Sequence, residues 1–394
     1  MVMSRQTKSA VGSNAGRSRT HNRRVVLGQM RIEGQIGRAE LARRTGLSTQ
    51  AVSNIIAELE TDGLIEVSGK RSVGRGLPAL QFALRPEGGF ALGFEIRPDA
   101  VFVVLLDLHG EELFSQRRGL ALADPGHVLH VLRSMRDAAL TQSGIDRDRL
   151  LGAGVVMPGP FDLTGVAGKS SELPGWQGLN TRDHLQEALN IPVRIENDAN
   201  AAAMAERVGG VAQDLHSYAF LYFGTGLGLG VVSDGRLERG AHGNAGEIGH
   251  IPVQVDGRFV PLEDLVSRLS LRDHMAHAGK DVTEIEDLDA LFKAANPALL
   301  AWLDRAAQAL SPAVAMIENL FDPQTIILGG AMPDPVVQDL IRKTDLPKRS
   351  VANRQDRPLP RLMLGGSGRM TATRGAAALV INNTFTPQIE TASQ

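Results

Sequence analysis

The fold of the larger part of this chain is decided by residues 222–232, which read YFGTGLGLGVV. Glycine occupies every second position from 224 to 230, and such a loop lets backbone N–H groups approach an anion closely. A dinucleotide-binding G-x-G-x-x-G loop lies between a strand and a helix. Here two apolar strands flank the loop, and Asp234-Gly235 predicts a hairpin turn after the second strand. The stretch therefore predicts a phosphate-binding hairpin or a tight turn without a ligand, and alone it does not decide between them.

A second motif lies upstream, at residues 195–206, which read IENDANAAAMAE. An apolar strand leads directly into an alanine-rich helix, and Asn197 and Asp198 stand at the join. A carboxylate at such a turn can act as a general base or accept a hydroxyl hydrogen bond. It can also serve only as the N-cap of the helix. Both interpretations of Asp198 remain open at this point.

A third motif, GNAGEIGHIPV, follows at residues 243–253. The N-D-A-N, G-T-G-x-G-x-G and G-E-I-G-H motifs, in this order, resemble the ROK family of repressors, unannotated open reading frames and sugar kinases. The resemblance covers roughly residues 20–385. It implies an α/β chain in which an N-terminal winged helix-turn-helix precedes a two-lobed actin-like ATPase (ribonuclease H-like) fold. The implied lobes are 90–198 plus about 368–390, and 199–367, the second of which carries the dimerisation surface.

The resemblance also implies a sugar site. In the kinase branch the Asp of the N-D turn accepts the proton of the sugar hydroxyl, and a Glu and a His of the third motif hold further hydroxyls. Another Glu of the family matches the stretch PLEDLVS at 261–267. Carboxylates suit a polyol because each accepts two hydroxyls. For each position a satisfied structural polar group remains the alternative. The implied sugar-binding residues are Asn197, Asp198, Glu247, His250 and Glu263.

One departure from the family concerns zinc. Most members carry a cysteine motif between G-H and the following Glu, whereas residues 250–263 read HIPVQVDGRFVPLE and contain no cysteine. Zn²⁺ needs about four ligands, usually Cys or His. We therefore expect no zinc and no other cofactor, with His250 free to contact the sugar. Packing of Phe259 and Val260 is expected to hold this loop instead.

Another departure concerns the nucleotide. Kinases of this fold begin with a D-x-G-G-T turn that holds the nucleotide phosphates, but the corresponding residues 93–104 read GFEIRPDAVFVV. Glu95 replaces the Asp, and Arg97-Pro98-Asp99 replaces the small residues. Proline lacks an N–H group and Asp99 repels phosphate. The sequence thus predicts a non-enzyme in which Asp198 is a vestigial base. Glu172, at a position where Asn is expected, leaves the identity of the sugar open.

The N-terminal part has a different character. Residues 1–85 hold 14 Lys and Arg against 6 Asp and Glu, whereas the remainder holds 28 against 38. A basic segment on an acidic body indicates a polyanionic partner. Residues 1–21 contain almost no large apolar side chains and predict a disordered basic arm. Residues 22–85 predict three helices and two strands around a basic loop, which together form a winged helix-turn-helix.

The third helix of this domain carries the predicted DNA contacts. Its apolar stripe of Val52, Ile55, Ile56 and Leu59 leaves short polar side chains on the opposite side, where they can bond base edges. Basic residues of the second helix and of the wing suit phosphates or the minor groove. A protein-interaction module is the alternative. The predicted DNA-binding residues are Arg43, Arg44, Ser48, Thr49, Gln50, Ser53, Asn54, Lys70, Arg71 and Arg75.

Composition limits the remaining possibilities. The chain of 394 residues has no cysteine, and it contains no apolar run of about 18 residues and no signal peptide, so a cytoplasmic location without membrane contact is expected. The sequence predicts a sugar-responsive repressor that binds palindromic operator DNA as a homodimer or higher homo-oligomer. The alternatives are an active ATP-dependent sugar kinase with a DNA-binding head, and a regulator that docks to a protein and binds no sugar.

Overall fold

The computed structural model describes residues 15–71, 78–157, 173, 175–176, 179–241, 243–255, 257–282, 285–366 and 368–386. The chain divides into two compact units, of which one comprises Met1–Gly88 with Asn382–Gln394 and the other Gly89–Ile381. No helix within these described ranges is long and apolar enough to cross a membrane.

The N-terminal unit consists of three helices and a small sheet in the order β1-β3-β2. Its elements are α1 (Ala15–Glu33), β1 (Ile36–Gly37), α2 (Arg38–Thr45), α3 (Thr49–Thr61), β2 (Ile65–Arg71) and β3 (Ala79–Leu84). The Ser48 hydroxyl caps α3 by accepting from Ala51 N at 3.1 Å. The predicted apolar stripe of α3 is buried, as are Met30, Leu41 and Phe82 of the same unit. The winged helix-turn-helix is thereby confirmed.

Two boundaries differ from the sequence prediction. Helix α1 begins at Ala15, so residues 15–21, predicted to be disordered, are helical. Arg19 extends this helix by pairing with Glu58 of α3 at 2.6 Å, whereas residues 1–14 lie outside the described part. At the other end, residues 382–386 group with the N-terminal unit and not with the first lobe. The reason is contact with α1, because Arg31 lies over the Phe385 ring at 5.3 Å.

The larger unit begins with a five-stranded sheet, here called the first sheet, in the order β6-β5-β4-β7-β8. Strands β4, β5 and β6 are antiparallel neighbours, and β7 and β8 continue parallel to β4. Apolar side chains of the sheet pack with α4 and α5 in one core. Its elements are β4 (Phe90–Ile96), β5 (Ala100–Asp107), β6 (Glu112–Gly119), α4 (Pro125–Ser143), β7 (Leu150–Val156), α5 (Thr181–Leu189) and β8 (Val193–Glu196).

The second sheet repeats this topology in the order β11-β10-β9-β14-β15. Again three antiparallel strands are followed by two parallel ones. This duplication is the predicted two-lobed actin-like fold, which is confirmed. The elements are α6 (Asp198–Gly209), β9 (Tyr218–Phe223), β10 (Leu227–Ser233), β11 (Arg236–Leu237), β12 (Pro252–Val255), β13 (Arg258–Pro261), α7 (Arg268–His277), α8 (Ile285–Lys293), α9 (Pro297–Phe321), β14 (Ile326–Gly330), α10 (Asp334–Lys343), β15 (Leu362–Leu364) and α11 (Thr371–Phe385).

Helices α6 and α11 connect the two sheets through contacts that only glycine permits. Helix α6 lies on the second sheet, where a Cβ added at Gly230 would come 2.5 Å from the Ala199 carbonyl oxygen. Helix α11 lies on the first sheet, where a Cβ at Gly154 would come 1.8 Å from the Ala376 oxygen. The two helices meet at Gly375, against the backbone of Ala201. The N-D-A-N turn at the start of α6 therefore lies where both sheets are joined.

Candidate functional site

The turn between β8 and α6 presents two polar side chains with different tasks. Asn197 is the N-cap, because its Oδ1 accepts from Asn200 N at 2.8 Å. Asp198, the first residue of the helix, is partly buried, and its Oδ1 accepts from its neighbour Ala199 N at 2.8 Å. The capping function thus belongs to Asn197 and not to Asp198.

The Asp198 carboxyl group has a pKa raised to about 6. Burial is the main cause, the negative charges of Glu95 and Glu247 add to it, and the bond from Ala199 N opposes it. Burial also raises the pKa of the Tyr222 hydroxyl, with Glu95 and Asp198 contributing. These are the shifts expected where several acidic groups share a poorly solvated site. Clusters of this type occur in functional sites more often than elsewhere.

The glycine loop is a tight hairpin that packs against two carboxylates. Gly224 N donates to the Gly226 oxygen at 3.1 Å across the turn. A Cβ added at Gly224 would lie 3.1 Å from Asp198 Oδ2, and one at Gly226 would lie 2.5 Å from Glu263 Oε2. A side chain at Gly224 would meet the Tyr222 ring and Asp198, and one at Gly226 would displace the Glu263 carboxylate, so the loop packs directly against both carboxylates.

His250 connects the other two predicted acidic residues. Its Nε2 lies 3.6 Å from Glu247 Oε2, and its Nδ1 lies 3.7 Å from Glu263 Oε1. Glu247 and His250 are 53 and 36 % exposed, whereas Glu263 is 14 % exposed, so the group combines solvent-facing and sheltered oxygen acceptors. The structure thus brings four of the predicted sugar-binding residues to one place, with Asn197 adjoining Asp198 in the chain.

The loop that replaces the cysteine motif is the β12–β13 hairpin. The expectation that Phe259 holds this hairpin by packing is wrong, since Phe259 is 71 % exposed. The neighbouring strand holds it instead, because Val253 and Ile251 pack on the core of the second sheet. Within the described ranges, no three His, Cys, Asp or Glu side chains are grouped as metal ligands. The residues present do not fit the zinc site that the family resemblance implies.

The turn between β4 and β5 is filled by a salt bridge. Arg97 Nε donates to Glu95 Oε1 at 2.7 Å, and Thr373 Oγ1 of α11 donates to Glu95 Oε2 at 2.7 Å. The Arg97 guanidinium also lies over the Phe102 ring at 4.5 Å. Burial lowers the pKa of Arg97, but Glu95, Tyr222 and Asp99 raise it, and the net shift is upward. Arg97 is therefore a fixed cation at this turn. Glu172 lies outside the described residues.

Sequence reasoning missed an ion pair beside the site. Arg239 Nε donates to Glu196 Oε2 at 2.7 Å, and Asn200 Nδ2 donates to Glu196 Oε1 at 3.0 Å. The available signal was a charged residue at the end of a buried strand, since Glu196 is only 9 % exposed. A buried carboxylate requires a partner, but the sequence did not indicate which of many arginines supplies it.

In the N-terminal unit, the start of α3 presents the predicted base-contacting side chains to solvent. Ser48, Thr49, Gln50 and Asn54 are exposed, and Ser53 is half-buried. Gln50 Nε2 donates to Asn54 Oδ1 at 3.0 Å, which orients both amides on one face. On the wing, Lys70 and Arg71 end β2 and are exposed, whereas Arg75 lies outside the described residues.

The two arginines of α2 are engaged with acidic neighbours. Arg43 and Arg44 both pair with Glu40, at 2.5 and 2.9 Å, and Arg44 also lies 3.3 Å from Glu33. Both guanidinium groups stay accessible, with side chains 75 and 49 % exposed. Because exposed ion pairs of this kind are weak, a phosphate can replace Glu40 as their partner.

Comparison with known proteins agrees with this architecture. The model of the ROK family matches residues 93–383, and the model of the MarR family matches residues 25–76. The chain is 26% identical over 334 residues to the xylose repressor of Bacillus spizizenii, which covers 82% of this chain and 85% of that protein. The two matched ranges correspond to the larger unit and to the winged helix-turn-helix.

Solved structures show the same fold. A ROK family transcriptional regulator, a homologue of the Mlc protein of Escherichia coli, superposes with a TM-score of 0.69 and 24% identity over 94% of this chain and 97% of that chain. A ROK hexokinase from Thermus thermophilus superposes with a TM-score of 0.57 and 27% identity over 73% of this chain and 97% of that chain. The first match extends over both units.

Proposed function

Because this chain belongs to the ROK family, we propose that it is a transcriptional repressor that binds operator DNA through its winged helix-turn-helix and senses a sugar in its larger unit. The similarity to a xylose repressor over most of both chains supports this function. The observation that carries the sensing half is the grouping of Asp198, Glu247, Glu263 and His250 around the glycine loop.

The chemistry of this group suits an uncharged polyol. Each carboxylate accepts two hydroxyl hydrogen bonds, and His250 can donate or accept according to its tautomer. Glu263 is sheltered and Glu247 is accessible, so one end of a sugar ring can be enclosed while the other enters from solvent. Asp198 then acts as a hydroxyl acceptor, and Asn197 adjoins it.

We propose further that the chain is not a kinase. Phosphoryl transfer depends on positioning and neutralising the nucleotide phosphates. At the turn where the fold holds these phosphates, Glu95 and Arg97 satisfy each other, Pro98 supplies no N–H group, and Asp99 is exposed. A base at Asp198 without a held phosphate donor opposite it performs no transfer. The competing function, a sugar kinase with a DNA-binding head, is supported by the similarity to a hexokinase.

The DNA half of the proposal rests on the accessible polar face of α3. Ser48, Thr49, Gln50, Ser53 and Asn54 would contact base edges in the major groove. Arg43, Arg44, Lys70, Arg71 and Arg75 would contact phosphates or the minor groove. A homodimer with two such heads would match the two halves of a palindromic operator.

Isothermal titration with a panel of neutral pentoses and hexoses tests the sensing half. We expect one class of sugar to bind the wild-type chain, and we expect Glu263→Gln to lose at least tenfold in affinity. The matched control is Asp264→Asn, which removes a charge from the adjacent exposed residue and is expected to bind as the wild type does. Equal affinities of Glu263→Gln and Asp264→Asn, or no binding by the wild type, would contradict the proposal.

A further inference from the structure

The segment that carries Glu247 and His250, residues 238–250, is held to β10 by backbone hydrogen bonds at both ends. At its first end, Glu238 N donates to the Val231 oxygen at 2.9 Å. Its second end is fixed by backbone contacts to β10, since Leu229 N donates to the Gly246 oxygen at 3.1 Å. Gly246 has a φ of +93°, and a Cβ there would come 1.9 Å from the Leu229 oxygen. Only glycine fits between the backbone of this residue and that of Leu229, so this end of the segment packs directly on β10.

A side chain also joins the first end of the segment to the N-D-A-N turn. Arg239 pairs with Glu196 at 2.7 Å, and the Arg239 carbonyl oxygen accepts from Ala245 N at 3.1 Å. Arg239 thus closes the segment on itself through its backbone and joins it to the residue before Asn197 through its guanidinium. Both sets of predicted sugar ligands, Asn197 with Asp198 and Glu247 with His250, also pack on the β9–β10 hairpin. The Arg239–Glu196 pair adds a direct side-chain link between them.

Glu196 is prepared as a rigid acceptor for Arg239. Asn200 Nδ2 donates to Glu196 Oε1 at 3.0 Å, and Asn197 N donates to the same oxygen at 3.3 Å. Asn200 is fully buried, and its Oδ1 has no partner among the described residues. A buried polar atom without a partner is unfavourable. The Asn200 amide therefore orients Glu196 through its Nδ2, although its own Oδ1 forms no hydrogen bond with the described residues.

From this arrangement we infer that Arg239 is a positioning residue for sugar binding, which acts through Glu196 by fixing the spacing between the N-D-A-N turn and the segment 238–250. The inference rests on the proposed sugar site. Arg239 itself touches no sugar in this account. Its guanidinium is half-exposed, so its loss leaves the core of the unit intact.

The test compares Arg239→Gln, Glu196→Gln and the double variant with Arg258→Gln, an exposed arginine of the β12–β13 hairpin that serves as the matched control. We expect Arg239→Gln to accelerate hydrogen exchange in residues 238–245 with an unchanged Tm. We also expect it to raise the Kd for the sugar by about five- to tenfold, a range typical of groups coupled in one network. The double variant should have a Kd no higher than that of the more impaired single variant, because both changes break the same ion pair. Arg239→Lys should recover most of the affinity for the sugar.

Two results would overturn the inference. Exchange in 238–245 that is the same in Arg239→Gln and Arg258→Gln would show that the Arg239–Glu196 pair does not hold the segment. Faster exchange with an unchanged Kd would show that the pair does not position the sugar ligands. If the wild-type chain binds no sugar, the proposed sensing function fails together with the positioning role of Arg239, whereas exchange still decides whether Arg239 fixes the segment.

Discussion

Arg97 Nε donates to Glu95 Oε1 at 2.7 Å, and this pair lies at the turn between β4 and β5, where we propose that nucleotide phosphates are no longer held. Thr373 of α11 satisfies the second oxygen of Glu95. The cation is therefore committed to a carboxylate of the same turn. An incoming phosphate would have to displace Glu95 and leave it buried without its charged partner, which is unfavourable.

This relationship predicts that the wild-type chain does not turn over ATP. In a coupled ADP-release assay with a panel of sugars, we expect the wild-type chain to be no faster than the variant Asp198→Asn, which lacks the carboxylate. The physical reason is that the phosphate donor is not held opposite the carboxylate. Sugar-dependent ADP release that disappears in Asp198→Asn would establish the kinase alternative.

A second prediction concerns the stability of the larger unit as a function of pH. Burial raises the pKa of Asp198 from 3.8 to about 6, so the folded state binds the proton more tightly than the unfolded state. The stabilisation is present below pH 4 and is lost as pH rises through 6, by roughly 3 kcal/mol at most. Asp198→Asn does not lose this stability, because its amide does not titrate.

The measurement is the Tm of Asp198→Asn relative to the wild type at several pH values. We expect the difference to increase in favour of the variant between pH 4.5 and 7.5, while the exposed control Asp264→Asn shows no such trend. A difference that stays constant over this range would contradict the raised pKa of Asp198.

A third prediction tests the glycine loop. Gly226→Ala places a methyl group 2.5 Å from Glu263 Oε2 and must displace that carboxylate. We expect the affinity for the sugar to fall by more than tenfold. Gly119→Ala, at a strand position where the added Cβ meets its nearest atom only at 4.0 Å, is the control and should bind normally. Retained affinity in Gly226→Ala would mean that Glu263 is not a ligand.

A fourth prediction concerns Glu40, which holds both Arg43 and Arg44. Glu40→Gln releases these guanidinium groups toward phosphates, so affinity for duplex DNA at low salt should rise by about two- to fivefold, with a steeper salt dependence. Fluorescence anisotropy at several salt concentrations measures both quantities. Glu60→Gln makes the same charge change at another exposed residue. If both variants behave alike, α2 does not face the phosphates.

The motifs in their order carried the family resemblance, and that resemblance implied the two-lobed fold. Local patterns predicted individual elements: a loop between two strands at 224–230, a helix start at Asn197–Asp198, and a helix capped by Ser48 with an apolar stripe. These three elements are present in the structure. What the sequence missed is the extent of α1, where tertiary pairing of Arg19 with Glu58 extends the helix through residues of low apolar content.

The site was predictable only in part. Family motifs identified the acidic residues and His250, but no local pattern connects Arg239 with Glu196 or Thr373 with Glu95, since these partners are 43 and 278 residues apart. The exposure of Phe259 was also missed. Successive side chains along a strand point to opposite faces of a hairpin, and the sequence alone did not determine which face of the β12–β13 hairpin is buried.

The central claim is that one chain couples sugar binding to operator binding. The direct measurement is the affinity for a palindromic duplex that the protein itself selects from a random pool, determined by fluorescence anisotropy with and without each sugar of the panel. The account predicts that one class of sugar changes the Kd for this duplex at least fivefold, and that Glu263→Gln binds the duplex normally but no longer responds to the sugar. Operator binding that no sugar changes, or an equal response in Glu263→Gln, would contradict it.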